Sequence, residues 1–275
     1  MDRFSGFCRR AAACVLAGSL LFAGLTGCAV SKNSDDIFEP VPATEKPTEK
    51  PTAEPTETPT APPEETAEPT PTPTETPTAP PSVDPTALFQ KSVFIGNSCV
   101  DSLMLSGVID GATFLGRTAL TVSQVFTKST NTGSVPIMDE LNGKEYDKVF
   151  LLFGENELGW QSTDIFVSKY AEVIDGVRER VPGAQVYLLS IMPVTAAAHA
   201  RNQYMVNNDR ICEFNALIRQ LAEDKSAIYI DLFEAMVNDQ GVLPDDLSAD
   251  GIHPNASACR IWADTMIKQL GGSVK

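Results

Sequence analysis

Proline is distributed very unevenly along this chain of 275 residues. Fifteen of its 20 prolines lie between residues 29 and 86, in Pro-Thr, Glu-Pro-Thr and Thr-Pro-Thr repeats with almost no apolar side chain after Val41. Proline donates no backbone hydrogen bond and fixes φ, so this stretch favours extended polyproline geometry. Such a segment cannot bury a core. The sequence therefore confines a compact domain to residues 87–275.

The N-terminal segment has the pattern of an export signal. Three arginines precede an apolar run from Ala11 to Leu25, and small residues lead up to Cys28. The run is short for a membrane span, which favours cleavage before the cysteine. The segment resembles a bacterial lipoprotein signal, whose cysteine carries the lipid. We therefore predict a signal peptide at 1–27, a lipid-anchored linker at 28–86, and a protein on the outer face of the bacterial cell membrane. An uncleaved anchor and an ordinary secretory signal are the alternatives.

The chain is acidic, with 21 Lys and Arg against 36 Asp and Glu and a net charge of −15. No cluster of basic residues is visible, so nucleic acid is not an expected partner. Three cysteines remain in the predicted domain, Cys99, Cys212 and Cys259, and their spacing matches no zinc site. One disulfide among them, or buried free thiols, both fit the sequence. We expect a monomer without a metal or another cofactor.

Short apolar runs alternate with longer amphipathic stretches through the predicted domain. The runs predict strands at Val93–Gly96, Ala112–Gly116, Lys148–Phe153, Gln185–Ile191 and Ala227–Leu232. The amphipathic stretches predict helices at Cys99–Leu105, Val122–Phe126, Asp164–Val181, Asp209–Glu223 and Ala256–Leu270. Strands that are apolar at consecutive positions suit a parallel sheet covered on both faces. The alternation predicts an α/β fold, a three-layer α/β/α flavodoxin-like domain with a mainly parallel five-stranded sheet.

Polar residues capable of chemistry lie where three of these elements meet loops. Ser98 ends the string FIGNS after the first strand, and Asn156 lies in the string GENE after the third. The string DGIH, from Asp250 to His253, precedes the last helix. In parallel α/β sheets the active site gathers beyond the carboxyl ends of the strands. A serine, a histidine and an aspartate at that edge can serve as nucleophile, base and orienting carboxylate.

In this order, the three strings resemble the sequence blocks of the SGNH/GDSL hydrolase family, and more narrowly its lipoprotein-like members with a Pro/Thr-rich stalk. The resemblance covers residues 91–270. It implies the SGNH hydrolase fold, with Ser98 as nucleophile and His253 as general base and then acid. Asp250 is implied as the carboxylate that orients His253. A helix N-cap is the alternative role for Ser98.

The resemblance also implies an oxyanion hole, the set of donors that stabilises negative charge on the reacting carbonyl oxygen. Its donors are the Ser98 N–H, the Asn156 side-chain amide and an N–H after the second strand. The register places Ala119 at this third position, with Gly116 as the alternative. Alanine offers an N–H but disfavours the positive φ that glycine adopts.

Besides Ala119, two other residues depart from the family pattern. Asn97 replaces the usual aspartate of the first block, and Glu157 replaces the aspartate after the oxyanion asparagine. Neither makes or breaks a bond, so we expect a working enzyme. Trp160 suits either sugar stacking or coverage of the core. The polar stretch Thr195–Asn208 suits a substrate loop, with Arg201 and Tyr204 as possible contacts.

The resemblance implies a serine esterase that forms an acyl-enzyme. A cell-surface location favours O-acyl or O-acetyl esters on carbohydrate as substrates. An acyltransferase or a lysophospholipase would use the same three residues. A glycan-binding lipoprotein that keeps the fold without catalysis is the alternative from another class.

Overall fold

Five parallel strands form the centre of the part of the chain that the computed structural model describes, residues 85–272. The predicted signal peptide, the predicted lipidation site Cys28 and almost all of the predicted linker lie outside these residues. The strand order is β2-β1-β3-β4-β5, and each neighbouring pair is parallel. This is the doubly wound order of flavodoxin-like folds, in which the chain reverses its direction of winding between β1 and β3. The predicted fold class is confirmed.

The elements alternate along the described residues. The strands are β1 Ser92–Gly96, β2 Thr113–Gly116, β3 Lys148–Leu152, β4 Gln185–Leu189 and β5 Ile228–Ile230. The α-helices are α1 Pro85–Phe89, α2 Ser98–Ser106, α3 Thr163–Arg180, α4 Ala196–Arg201, α5 Asn208–Asp224, α6 Leu232–Met236 and α7 Ala256–Gln269. Short 3₁₀ helices lie at Ile137–Leu141, Glu155–Glu157, Gln203–Met205 and Asp245–Leu247.

The two faces of the sheet bury two separate apolar clusters. Successive strand residues point to opposite faces, so consecutive apolar residues supply both. On one face the rings of Phe94 and Phe150 stack at 4.5 Å, and those of Phe150 and Tyr187 at 4.7 Å. Helices α2 and α7 cover this face. Helices α3 and α5 cover the other, where Val149 and Leu151 lie fully buried.

One predicted element is wrong. Val122–Phe126 forms turns and no helix. The N–H of Val122 donates to the carboxylate of Glu157, so the chain here is tied to the β3 loop. The predicted loop Thr195–Asn208 also differs from expectation, because it contains α4 and a 3₁₀ turn.

None of the helices between residues 85 and 272 has the length and apolar character needed to cross a lipid bilayer.

Candidate active site

Ser98 is placed by a tight junction between β1 and α2. A side chain at Gly96 would lie 2.4 Å from the carbonyl oxygen of Leu152, so only glycine fits where β1 passes β3. Asn97 is buried and caps α2, since its Oδ1 accepts from the N–H of Cys99 at 3.0 Å. The N-cap is therefore Asn97, and Ser98 is the first helical residue. Its own N–H has no intrahelical acceptor and remains available to a ligand.

The structure brings Ser98, His253 and Asp250 together in bonding order. The Ser98 Oγ lies 3.0 Å from the His253 Nε2, and the His253 Nδ1 lies 2.7 Å from the Asp250 Oδ2. Both are hydrogen-bond distances. The side chains of His253 and Asp250 are 42% and 54% exposed, so the assembly opens to solvent. Substrate can therefore reach it without unfolding of the loop.

The loop that carries His253 is held by Asp250 itself. The Asp250 Oδ1 accepts from the N–H groups of Ile252 at 2.9 Å and His253 at 2.8 Å. Partial burial alone would raise the pKa of Asp250, but hydrogen bonds from the imidazole and these N–H groups outweigh it. The pKa of Asp250 consequently lies well below its usual range. Asp250 is thus ionised whenever His253 needs a negative partner.

Asn156 and Ala119 lie on loops that touch each other. The Asn156 Nδ2 donates to the carbonyl oxygen of Leu120 at 2.9 Å, which fixes the amide beside the β2 loop. Ala119 is exposed and adopts the left-handed φ of 57° that a glycine usually supplies. Gly116 has a different role, because a side chain there would meet the Asp101 carboxylate of α2 at 2.1 Å. Gly116 allows close packing, and Ala119 makes the turn.

The buried carboxylate of Glu157, one of the departures from the family pattern, joins the same loops. Glu157 is fully buried, and its two oxygens accept from the N–H of Val122 at 2.7 Å and of Gly154 at 3.0 Å. Burial raises the pKa of Glu157 to about 7, against the effect of these hydrogen bonds. The hydrogen bond between Glu157 and Val122 joins residues that are 35 positions apart, so the local sequence does not predict it.

Cys99, next to the candidate nucleophile, is unsuited to act as one. It is buried, and its Sγ donates to the Glu155 Oε2 at 3.1 Å. Burial, with the nearby charge of Glu155, raises the pKa of the Cys99 thiol well above its ordinary value. A thiol must ionise to attack, so Cys99 is inert. Cys99 and Cys259 are both free, which excludes a disulfide between them.

His199 and Trp160 make structural contacts with their own neighbourhoods. The His199 Nδ1 accepts from the N–H of Asn208 at 3.1 Å, so this histidine holds the chain between α4 and α5. Trp160 is partly buried and packs against the apolar cluster beneath α3. Its carbonyl oxygen accepts from Arg210 at 3.0 Å. Of its two expected roles, coverage of the core is therefore present.

Comparison with known proteins supports the fold and the family. A multidomain esterase of Ruminococcus flavefaciens is 25% identical over 149 residues, which are 50% of this chain but 18% of that protein. The solved structure of a Streptococcus pneumonia protein named for platelet activating factor is 21% identical with a TM-score of 0.54, covering 66% of this chain and 84% of that one. A Slackia heliotrinireducens protein classed as an SGNH hydrolase is 19% identical with a TM-score of 0.53, covering 66% and 98%.

At these identities the solved structures show likeness of fold alone. A family model provides the stronger finding, because residues 112–261 match the GDSL-like lipase/acylhydrolase family. The match spans more than half of the chain and includes Asn156, Asp250 and His253, while Ser98 precedes it. The chain therefore belongs to the GDSL-like lipase/acylhydrolase family, with the SGNH hydrolase fold.

Proposed function

We propose that this protein is a serine esterase that hydrolyses O-acyl esters through Ser98, His253 and Asp250. One observation carries the proposal: the unbroken hydrogen-bonded series from the Ser98 Oγ through the imidazole to Asp250, at 3.0 and 2.7 Å. A serine hydroxyl is a weak nucleophile until a neighbouring base takes its proton. His253 is within reach of that proton, and Asp250 holds the imidazole in the required orientation.

The reaction divides into two displacements at the acyl carbon. His253 takes the Ser98 proton as the Ser98 Oγ attacks the carbonyl carbon of the ester. The carbonyl oxygen of the ester then becomes negatively charged. The N–H groups of Ser98 and Ala119 and the amide of Asn156 stabilise this charge. The ester bond breaks as His253 returns the proton to the departing alcohol, leaving an acyl group on Oγ. Water then attacks the acyl carbon as His253 takes one of its protons. His253 passes this proton to the Ser98 Oγ as the acyl–Oγ bond breaks, which releases the carboxylic acid and restores the Ser98 hydroxyl.

O-acetyl groups on carbohydrate are the substrates we propose. The predicted export signal and the predicted lipid anchor at Cys28 would place the domain outside the cell, where polysaccharide esters are abundant. The esterase name of the Ruminococcus flavefaciens relative supports an ester as the substrate. An acyltransferase would pass the same acyl group to an alcohol in place of water, and a lysophospholipase would accept a longer acyl chain.

Turnover of p-nitrophenyl acetate by the purified full-length protein tests the proposed chemistry. Ser98→Ala should abolish turnover, because no other oxygen lies within hydrogen-bond distance of the His253 Nε2 among the described residues. Ser102→Ala is the matched control. Ser102 lies one turn further along α2, and its hydroxyl donates a hydrogen bond to the backbone carbonyl oxygen of Ser98, not to the Ser98 side chain. Equal rates for wild type and Ser98→Ala would refute the mechanism.

Acetate release from acetylated glycans separates hydrolysis from its alternatives. Release of one mole of free acetate for each mole of acetyl group lost from the sugar supports the esterase. Transfer of acetyl to an added sugar alcohol, without free acetate, would indicate an acyltransferase. Glycan binding without turnover of any ester would indicate the non-catalytic lipoprotein.

A further inference from the structure

The stretch Thr195–Asn208, here called the rim segment, spans the two sides of the active site. At one end, the N–H of Thr195 donates to the carbonyl oxygen of Gly251 at 3.0 Å. The Arg201 guanidinium donates to the carbonyl oxygen of Asp250 at 3.2 Å. Both acceptors belong to the loop that carries His253. The rim segment is therefore attached directly to the catalytic loop.

Further along, the rim segment meets the loop that carries Asn156. A side chain built on Gly159 would lie 3.2 Å from the carbonyl oxygen of Tyr204, so the two backbones are in close contact. Gly159 is three residues beyond Asn156. The rim segment thus contacts both loops, the His253 loop through Thr195 and Arg201 and the Asn156 loop through Tyr204.

The backbone at this edge is strained. Asn202, Tyr204 and Met205 all have positive φ, at 46°, 55° and 64°, in a stretch without glycine. The Cβ atom makes this conformation unfavourable for most residues other than glycine, although asparagine tolerates it, so the strain falls on Tyr204 and Met205. Hydrogen bonds from the Asn207 side chain to the Asn202 side chain at 2.6 Å and to the Met205 carbonyl at 3.2 Å hold the turn. Such strain is concentrated in general at active sites and ligand clamps.

Burial does not compensate Tyr204 for this strain. Its residue surface is 80% exposed, one of the largest exposures of an apolar or aromatic residue in the described chain. The ring therefore gains little from packing in the free protein. Instead, an aromatic side chain is exposed to solvent next to the loop that carries Asn156.

We propose that Tyr204 is a substrate-binding residue that selects esters whose alcohol portion is a sugar, by packing its ring against the apolar face of the pyranose. This inference rests on the proposed esterase function and adds a site for the alcohol portion. Aromatic rings present a flat apolar surface and a polar tip, which match the C–H face and hydroxyl edge of a sugar. In this proposal Tyr204 contacts the sugar, and the acyl group is contacted by the catalytic residues.

Two acetate esters with different alcohols test the proposal on the full-length protein. The probes are glucose pentaacetate and ethyl acetate, both read by released acetate. Tyr204→Ala should lower kcat/KM for glucose pentaacetate by about tenfold, mainly through KM, the size expected when one aromatic packing contact is lost. Turnover of ethyl acetate should change less than about twofold, because no ring contacts the small alcohol.

Controls separate a specific effect from a general one. Tyr204→Phe keeps the ring and should retain most activity on the sugar ester. Leu105→Ala removes a residue of 81% exposure at the far end of α2 and should change neither rate. Equal losses on both esters, or no loss on either, would overturn the role of Tyr204. If wild type and Ser98→Ala release acetate equally from ethyl acetate, the esterase proposal fails instead.

A binding measurement keeps the inference testable even without turnover. Saturation-transfer NMR of glucose pentaacetate with Ser98→Ala should show contact between the protein and the sugar ring protons. The double variant Ser98→Ala, Tyr204→Ala should lose most of this signal while keeping the same melting temperature. Undiminished transfer in the double variant would exclude Tyr204 from the sugar site.

Discussion

The loops that follow β1, β2 and β3, here called the strand-end loops, and the rim segment border the same site but are stabilised in different ways. In the strand-end loops, buried Asn97 and Glu157 bind backbone N–H groups and hold the chain in place. In the rim segment, Tyr204 is exposed and its backbone is strained. The contrast shows where precision is required. Catalytic groups need fixed geometry, whereas the alcohol portion of a substrate needs an accessible surface.

The two histidines give the largest expected effect. His253→Ala removes the proposed base and should lower kcat on p-nitrophenyl acetate by about 10⁴-fold or more. His199→Ala removes only a hydrogen bond to the N–H of Asn208 in the rim segment, so activity should stay within about fivefold. Steady-state kinetics of the two variants measure this directly. Comparable losses would show that the rim segment is as much a part of the chemistry as the catalytic loop.

Asn156→Ala should have the next largest effect. Loss of one oxyanion donor lowers kcat by about 10²–10³-fold with little change in KM, since the charge develops only in the transition state. Asn142→Ala, at an exposed position after the 3₁₀ helix Ile137–Leu141, is the matched control and should match wild type. A loss confined to KM would indicate that Asn156 binds substrate instead.

The raised pKa of the buried Glu157 carboxyl should make the stability of the protein depend on pH. Burial raises its pKa from an ordinary 4.5 to about 7, so the folded state holds the proton more tightly than the unfolded state does. The stabilisation from this proton is complete below pH 4.5 and is lost as the pH rises through 7. Between pH 5 and 8 the free energy of unfolding should fall by about 1–3 kcal/mol on this account.

Glu157→Gln cannot ionise, so its free energy of unfolding should vary less across that pH range. Glu145→Gln changes an exposed glutamate and should keep the wild-type slope. Urea denaturation at several pH values measures both slopes. Identical slopes for Glu157→Gln and wild type would contradict the buried, proton-binding role of Glu157 in the strand-end loops.

Ala119 should give the smallest effect. Glycine at this position relieves left-handed strain of roughly 1 kcal/mol but raises the entropy of the unfolded chain by a similar amount. The N–H is kept, so kcat should change less than about twofold in Ala119→Gly, and the free energy of unfolding by less than about 1 kcal/mol. Thermal unfolding and esterase kinetics check both. A large rise in stability would show that the left-handed strain at Ala119 exceeds the entropy cost of glycine in the unfolded chain.

The parts of the fold that follow from burial were predictable. Each strand is a run of consecutive apolar residues, so all five were placed to within about two residues of their observed bounds. The predicted helix at Val122–Phe126 is wrong because an apolar pattern over five residues is too short to distinguish a helix from the consecutive turns observed there. The short helix Leu232–Met236 was not predicted, because its first residue falls in the apolar run Ala227–Leu232 that predicts a strand.

The candidate site was partly predictable for a topological reason. Parallel strands bring their carboxyl ends to one edge, so Ser98 and Asn156 had to lie near each other once the strands were placed. The left-handed conformation of Tyr204 and Met205 has no such signal, because neither position holds glycine or asparagine. The pairing of Cys99 with Glu155 joins residues 56 positions apart and likewise has no local pattern.

Covalent labelling with a fluorophosphonate, followed by intact mass and peptide mapping, tests the catalytic assembly most directly. The reagent reacts with a serine only when a neighbouring base activates it. We expect one adduct on Ser98 in wild type, and none in Ser98→Ala or His253→Ala. Labelling of Ser98 that persists in His253→Ala, or no adduct on Ser98 in the folded wild-type protein, would contradict this expectation.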